Sequence, residues 1–121
     1  MTYEEFNQFC SAFPAATHVV QWGGSQVWKV GGKVFAIGGW EHSNKPAYTF
    51  KVSEYNFYFL SDEPGYRPAP YLASRGMKWI QFYDVDETKI DDLKYYLSES
   101  YRIVSLGLTK KKQKELGLNQ N

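Results

Sequence analysis

Residues 26–37 read QVWKVGGKVFAI, and this stretch carries the strongest indication of the fold. Apolar residues recur at alternate positions on both sides of a Gly-Gly pair, as they do in two antiparallel strands joined by a tight turn. A two-residue loop at Gly31-Gly32 fixes the register, which pairs Val30 with Lys33, Trp28 with Phe35, and Gln26 with Ile37. The predicted hairpin then has an apolar face made of Trp28, Val30, Phe35 and Ile37, and its other face carries Val27, Lys29, Val34 and Ala36.

The two-residue period extends over residues 18–52 and returns at residues 78–83, which predicts further strands. The strand at 48–52 turns Thr49 and Lys51 away from the core, and the strand at 78–83 does the same with Trp79, Gln81 and Tyr83. Residues 61–70 contain Pro64, Gly65, Pro68 and Pro70. We expect a loop there, because proline cannot donate to a strand ladder.

Two short segments have the caps and the apolar spacing of helices. Thr2 and Glu5 form a capping box, which predicts a helix over residues 3–13. Ser53 is placed to cap a short aromatic helix over residues 54–60.

The C-terminal third contains the longest predicted helix. Thr88 marks its start, its apolar face runs through residues 89–106, and Gly107 is expected to end it in a left-handed conformation. Thr109 is then expected to cap a final turn or two that contains four lysines.

Composition limits the class of protein. At 121 residues and 14.0 kDa the chain fits one domain, assigned to residues 1–117, with a frayed tail at 118–121. With 14 basic and 13 acidic side chains, any attraction to a polyanion has to be local. Cys10 is the single cysteine, which favours a reducing compartment. Glu4 and Glu5 stand where a secretory signal is basic and then apolar, and no apolar stretch approaches about 18 residues, so we expect a cytoplasmic protein outside the membrane.

Five local matches, in order along nearly the whole chain, carry a resemblance to a known family. They are Lys29-Val-Gly-Gly-Lys33 leading into Phe35-Ala36, Phe50-Lys51 before a helix, Pro64-Gly65-Tyr66, Trp79 in the strand after the loop, and Ser100-Tyr101-Arg102-Ile103-Val104. In this order and spacing the chain resembles the MmcQ/YjbR-like family. The resemblance implies an α+β fold of two layers, with a mainly antiparallel sheet of about five strands in the double-wing arrangement.

The resemblance also implies a function, because members of this family are described as predicted DNA-binding proteins of bacteria. Many relatives have an Asn-Lys pair before the tryptophan, whereas Ala73-Ser74-Arg75-Gly76 occupies that stretch here, and Arg75 supplies a basic group one position out of register. On this basis we expect a non-enzymatic DNA-binding protein without a cofactor. A small-molecule or peptide binding module and a protein-interaction domain remain the alternatives.

The residues themselves provide no complete catalytic or metal site. Cys10 falls on the apolar stripe of the first helix, where cysteine behaves as a small hydrophobe. His18 and His42 have no second ligand or acid at the spacing of a zinc site or a triad. The carboxylates in 84–92 surround a helix N-terminus, which favours negative charge, so capping is preferred over cation binding. Gly31-Gly32-Lys33 lacks the Ser or Thr and the helix of a phosphate-binding loop, so a hairpin turn is preferred.

Two groups of side chains remain as candidates for ligand contacts. The first lies on the predicted second face of the sheet, where cations beside aromatic planes suit stacked bases or an aromatic ligand: Lys29, Lys51 and Trp79. For Trp79 the alternative is packing in a satellite core. The second group suits phosphates: Arg75, Arg102, Lys110, Lys111, Lys112 and Lys114. For the lysines the alternative is a plain solvated segment. Nucleic acid is therefore the expected partner, with a small molecule or a protein left open, and a monomer is favoured over a dimer.

Overall fold

The structure is a computed structural model that describes residues 1–39 and 45–121. Within them the chain forms four α-helices and six strands, together with short 3-10 turns at Ala73–Arg75 and Glu87–Lys89. The helices are α1 (Tyr3–Ser11), α2 (Glu54–Ser61), α3 (Ile90–Leu106) and α4 (Lys110–Leu116), and the strands are β1 (Ala16–Gln21), β2 (Ser25–Val30), β3 (Lys33–Gly38), β4 (Tyr48–Lys51), β5 (Tyr66–Pro68) and β6 (Trp79–Phe82).

The six strands form a single antiparallel sheet in the order β1-β2-β3-β4-β6-β5. This confirms the α+β class and the antiparallel sheet. The expectation of a plain loop over residues 61–70 is wrong in one respect, because Tyr66–Pro68 pairs with β6. β5 is a sheet edge, and Pro68 stands at its last position, where a missing N–H is tolerated.

The β2–β3 hairpin turns at Gly31-Gly32 as predicted, and Val30 pairs with Lys33. Further from the turn the register shifts by one residue, so Trp28 pairs with Ala36 and Gln26 with Gly38, not with Phe35 and Ile37. A β-bulge that leaves Phe35 as the additional residue of β3 accounts for the shift.

The bulge corrects the predicted faces of β3. Phe35 and Ala36 both belong to the core cluster under the helices, together with Trp28 and Val30. Ile37 was expected there, but it pairs with Val27 on the opposite face of the sheet. A bulge is set by three-dimensional packing and not by an alternating pattern, so the sequence predicted a regular ladder.

Helices α1 and α3 cover one face of the sheet. The capping box of α1 is confirmed, since the Glu5 amide donates to Thr2 Oγ1 at 3.1 Å and the Thr2 amide donates to Glu5 Oε1 at 2.9 Å. The side chain of Ser53 caps α2, as predicted, by accepting from the Asn56 amide. The core between the helices and the sheet is rich in aromatic rings, and Phe35 meets the Tyr101 ring of α3 edge to face, with 5.2 Å between the centroids.

Both ends of α3 differ from the expectation. The chain enters it through the 3-10 turn Glu87–Lys89, where the capping residue is Asp86 and not Thr88, since the Asp86 carboxylate accepts from the Thr88 amide. Gly107 has a φ of −80°, so it is right-handed, and its N–H donates to the Ile103 and Val104 carbonyls. The left-handed glycine comes ten residues later, where Gly117 ends α4 with a φ of 71°.

Helix α4 follows after Leu108, and its cap is the predicted one, because Thr109 Oγ1 accepts from the Lys112 amide. Leu118 was assigned to the frayed tail. Its side chain is 6% exposed and belongs to the core cluster, and its N–H donates to the Gln113 carbonyl.

The second face of the sheet is also largely buried. A row of paired residues crosses it from Val27 through Ile37, Thr49 and Gln81 to Arg67. In this row Arg67 donates to Gln81 Oε1, and Gln81 donates to Thr49 Oγ1 at 3.2 Å. Next to the row lies an apolar cavity of about 190 Å³ lined by Trp22, Val34, Ile37, Leu72, Met77 and Trp79.

Candidate anion-binding cleft

Strands β3 and β4 separate near one end of the sheet. Their pairing runs from Gly38–Tyr48 to Ala36–Phe50 and includes no Phe35–Lys51 pair. The hydroxyl of Ser100, on α3, lies between these last two residues, since it accepts from the Lys51 amide at 2.9 Å and donates to the Phe35 carbonyl at 2.6 Å. A helix side chain therefore replaces a ladder hydrogen bond where the strands part.

A cleft of about 490 Å³ lies at this divergence, and we call it the hairpin cleft. One wall is the tip of the β2–β3 hairpin, the other wall is the end of β4 and the start of β6, and the C-terminal half of α3 closes the third side. The lining residues are Gly31, Gly32, Lys33, Val34, Lys51, Met77, Trp79, Ile103, Val104 and Gly107. The volume is in the range of roughly 300–1,000 Å³ that is typical of small-molecule sites.

The hairpin cleft combines two cations with an apolar lining. Lys33 is exposed on the hairpin wall, and Lys51 is half-buried on the facing wall. Across residues 1–39 and 45–121, neither ammonium group forms an ion pair or a side-chain hydrogen bond. Two ammonium groups without an internal counter-charge favour an anion in the space between them.

Trp79 lies directly opposite Lys51 in the β4–β6 ladder and on the predicted face. Trp79 is only 5% exposed, so the expected open stacking surface is not present, and the residue lines the apolar cavity together with Met77, Leu72 and Ile37. Within the described part of the chain its buried Nε1 has no hydrogen-bond partner. Buried N–H donors are normally satisfied, so this group marks a position where an acceptor is missing.

The other predicted contact residues lie outside the lining of the hairpin cleft. Lys29 is half-buried on β2, which β3 separates from the strand that carries Lys51. Arg75 is exposed at the end of a 3-10 turn. Arg102 is exposed on α3, and the Glu99 carboxylate accepts from its guanidinium at 3.0 Å, which raises the pKa of Arg102.

The four lysines of α4 are all exposed: Lys110, Lys111, Lys112 and Lys114. The only carboxylate on this helix is Glu115, 3.9 Å from the Lys112 ammonium. Helix α4 begins three residues after Gly107, which itself lines the hairpin cleft. The lysine-rich helix therefore continues the chain directly from the rim of the cleft.

Sequence reasoning missed three members of this site: Lys33, Met77 and Ser100. Lys33 was considered with Gly31-Gly32 as a phosphate-binding loop and was then assigned to a hairpin turn. Ser100 left a detectable signal, because it stands on the buried stripe of α3 between Leu97 and Val104. A hydroxyl on an apolar stripe needs a partner, and here the partners are backbone groups of two strands.

The groups considered for catalysis have structural roles where they are described. Cys10 is fully buried in the core, and burial raises the pKa of its thiol. His18 Nε2 lies 2.8 Å from Gln26 Oε1, and His42 lies outside the described residues. Asp86 accepts from the Thr88 amide, and its hydrogen bonds to Thr88 hold the pKa of the carboxyl below its ordinary value. In residues 1–39 and 45–121, no three His, Cys, Asp or Glu side chains are grouped to hold a metal ion.

Fold and sequence together define the class of protein. The chain belongs to the YjbR family, whose model matches residues 11–103, and the resemblance seen in the sequence is thereby confirmed. Among solved structures, the Deinococcus radiodurans protein DR2400, with domain DUF419, has 23% identity and a TM-score of 0.79, covering 97% of this chain and 88% of its own. A Pseudomonas syringae protein has 14% identity and a TM-score of 0.64, covering 86% of this chain and 99% of its own. These likenesses show the fold.

No helix in the described ranges has the length and apolar character needed to cross a bilayer. No curated protein matches the sequence.

Proposed function

We propose that this YjbR-family protein binds DNA in the cytoplasm and catalyses no reaction on it. The observation that carries the proposal is α4, where four exposed lysines on two turns of helix are accompanied by one carboxylate. The net charge of the whole chain is only +1, so this cluster is a local positive field on a nearly neutral protein.

Lysine ammonium groups on an exposed helix suit phosphate oxygens, which carry the charge of DNA but no sequence information. The ring of Trp79 is buried, so stacking on an exposed tryptophan does not contribute to affinity in this proposal. Binding is therefore mainly electrostatic and independent of sequence. Each phosphate contact releases counterions, and the logarithm of the affinity falls with the logarithm of salt by about 0.9 per contact on duplex DNA.

The test is the salt dependence of binding to a short duplex, measured by fluorescence anisotropy. Replacing Lys110 and Lys111 by Gln is expected to lower the affinity and to reduce the salt slope by about one for each lost contact. The matched control is Lys94→Gln, since Lys94 is an exposed lysine about 20 Å along α3 from Gly107. An affinity that is flat across added salt, or an equal loss in the control, contradicts the proposal.

The proposal treats the protein as a monomer. Light scattering of the free protein checks this, and a dimer at micromolar concentration counts against it.

A further inference from the structure

We propose that the hairpin cleft binds one nucleotide unit, with the phosphate between Lys33 and Lys51 and the base against the apolar lining. The inference rests on the proposed function where that nucleotide is part of a DNA strand. The same chemistry is offered by a free mononucleotide, and the experiment below separates the two sources.

The phosphate position follows from the two ammonium groups. Lys33 and Lys51 stand on facing walls, and each lacks a carboxylate partner within residues 1–39 and 45–121. A phosphodiester in a DNA strand carries one negative charge over two non-bridging oxygens, and the monoester of a free mononucleotide carries up to two charges and three acceptor oxygens. In either form, two ammonium groups can each donate to a different oxygen of one phosphate.

The base position follows from the rest of the lining. Val34, Met77, Ile103 and Val104 give the hairpin cleft an apolar surface, and the flexible thioether of methionine adapts to a flat ring. Trp79 lines the same cleft and is only 5% exposed, so it forms part of the apolar floor against which a base would lie.

A cleft that holds a single base favours single-stranded DNA over duplex DNA. Bases in a duplex are stacked and paired, and bringing one of them into a cleft costs a few kcal/mol for unpairing and unstacking. An unpaired nucleotide does not incur most of this cost. The protein is therefore expected to bind single-stranded DNA more tightly than a duplex of the same length and charge per strand.

The experiment compares a single strand, a duplex and adenosine monophosphate on the same variants. Lys51→Met removes one cation and keeps the aliphatic stem, and Val34→Phe narrows the cleft without changing charge. The control is Lys29→Met, because Lys29 is half-buried like Lys51 but does not line the cleft. Unfolding curves of every variant establish that it is folded. The indole N–H signal of Trp79 in an NMR spectrum reports on the site itself, and its assignment comes from Trp79→Phe.

We expect the wild type to bind the single strand more tightly than the duplex. In both cleft variants the ratio of single-strand affinity to duplex affinity is expected to fall several-fold, and in the control variant it is expected not to fall. Equal affinity of the wild type for both DNA forms, or an unchanged affinity ratio in both cleft variants, would contradict the proposal that the cleft binds a nucleotide. Neither result would contradict the proposal that α4 binds DNA phosphates. If neither DNA form binds, the proposed function fails. In that case the nucleotide cleft is supported only if adenosine monophosphate shifts the Trp79 signal in the wild type and not in the cleft variants. If inorganic phosphate alone produces the same shift, the proposal that a base lies against the apolar lining is wrong.

Discussion

The hydroxyl oxygen of Ser100 lies 2.9 Å from the backbone nitrogen of Lys51, so helix α3 fixes the end of the strand that carries one wall of the hairpin cleft. The same hydroxyl donates to the Phe35 carbonyl on the neighbouring strand. Ser100 is fully buried, and one small side chain thus satisfies two backbone groups that would otherwise pair with each other or remain unpaired.

Replacing Ser100 by Ala is expected to destabilise the protein by about 1–3 kcal/mol, because it removes the partner of two buried backbone groups. Denaturant-induced unfolding measures the change. Ser98→Ala is the control, since the Ser98 hydroxyl donates to the Lys94 carbonyl of its own helix and spans no strands. If Ser100→Ala lowers the free energy of unfolding no more than Ser98→Ala does, then β3 and β4 form the missing hydrogen bond directly with each other in the variant.

Replacing Gly31 by Ala is expected to destabilise the hairpin tip more than replacing Gly32. Both glycines have positive φ, 58° and 82°, where an L residue costs roughly 1–2 kcal/mol. A Cβ atom on Gly31 would in addition lie 2.7 Å from Cδ1 of Leu108, whereas at Gly32 it would meet nothing within 4 Å. The difference between the two unfolding free energies isolates the contact with Leu108.

A second measurement makes the Gly31 prediction sharper. In Leu108→Ala the obstructing methyl groups are absent, so adding Gly31→Ala to that background is expected to cost less than it does in the wild type. If the destabilisation by Gly31→Ala is the same in both backgrounds, backbone strain alone explains it and the contact with Leu108 does not contribute.

Replacing Leu118 by Ala is expected to cost about 2–5 kcal/mol, as is typical for a leucine buried in a core. The control is Leu106→Ala, because Leu106 is 50% exposed and Leu118 is 6% exposed. Thermal or chemical unfolding measures both. If both variants lose an equally small amount of unfolding free energy, residues 118–121 are frayed, as the sequence suggested.

Replacing Glu5 by Gln is expected to destabilise the protein at neutral pH and to have little effect in acid. Hydrogen bonds from Thr2 hold the pKa of the Glu5 carboxyl below its ordinary value of 4.5. A lowered pKa means that the ionised group stabilises the fold above about pH 4.5, and that this contribution disappears as the pH falls through the lowered value. Melting temperatures of both proteins over a series of pH values from 7 downward test this, and a difference between the two proteins that does not shrink as the pH falls contradicts it.

Local signals predicted most of the secondary structure correctly, because their causes lie within a few residues. The capping box of Thr2 and Glu5, the Ser53 cap and the Gly31-Gly32 turn are each satisfied by neighbours in sequence. The pairing of Val30 with Lys33 was correct for the same reason.

Long-range packing determined what the sequence did not predict. Trp79 is 5% exposed and lines an apolar cavity with Val34 and Ile37, which belong to a different strand of the sheet. The pattern indicated correctly that Trp79 and Gln81 share a face, but alternation shows only that a residue leaves one core, not that it remains in solvent. The lining role of Lys33 likewise appears only once β4 and α3 are in place.

The additional residue in β3 has a consequence for relatives of different length. A bulge bends its strand and increases the local twist, and the pairing of β3 with β4 ends at Ala36, next to the bulged residue. In a chain that lacks Phe35, Val34 would directly precede Ala36, and its carbonyl would be the one to meet the amide of Lys51 in a continuous ladder. Such a relative would keep the same overall architecture and both lysines, yet it would have no opening between them for a ligand.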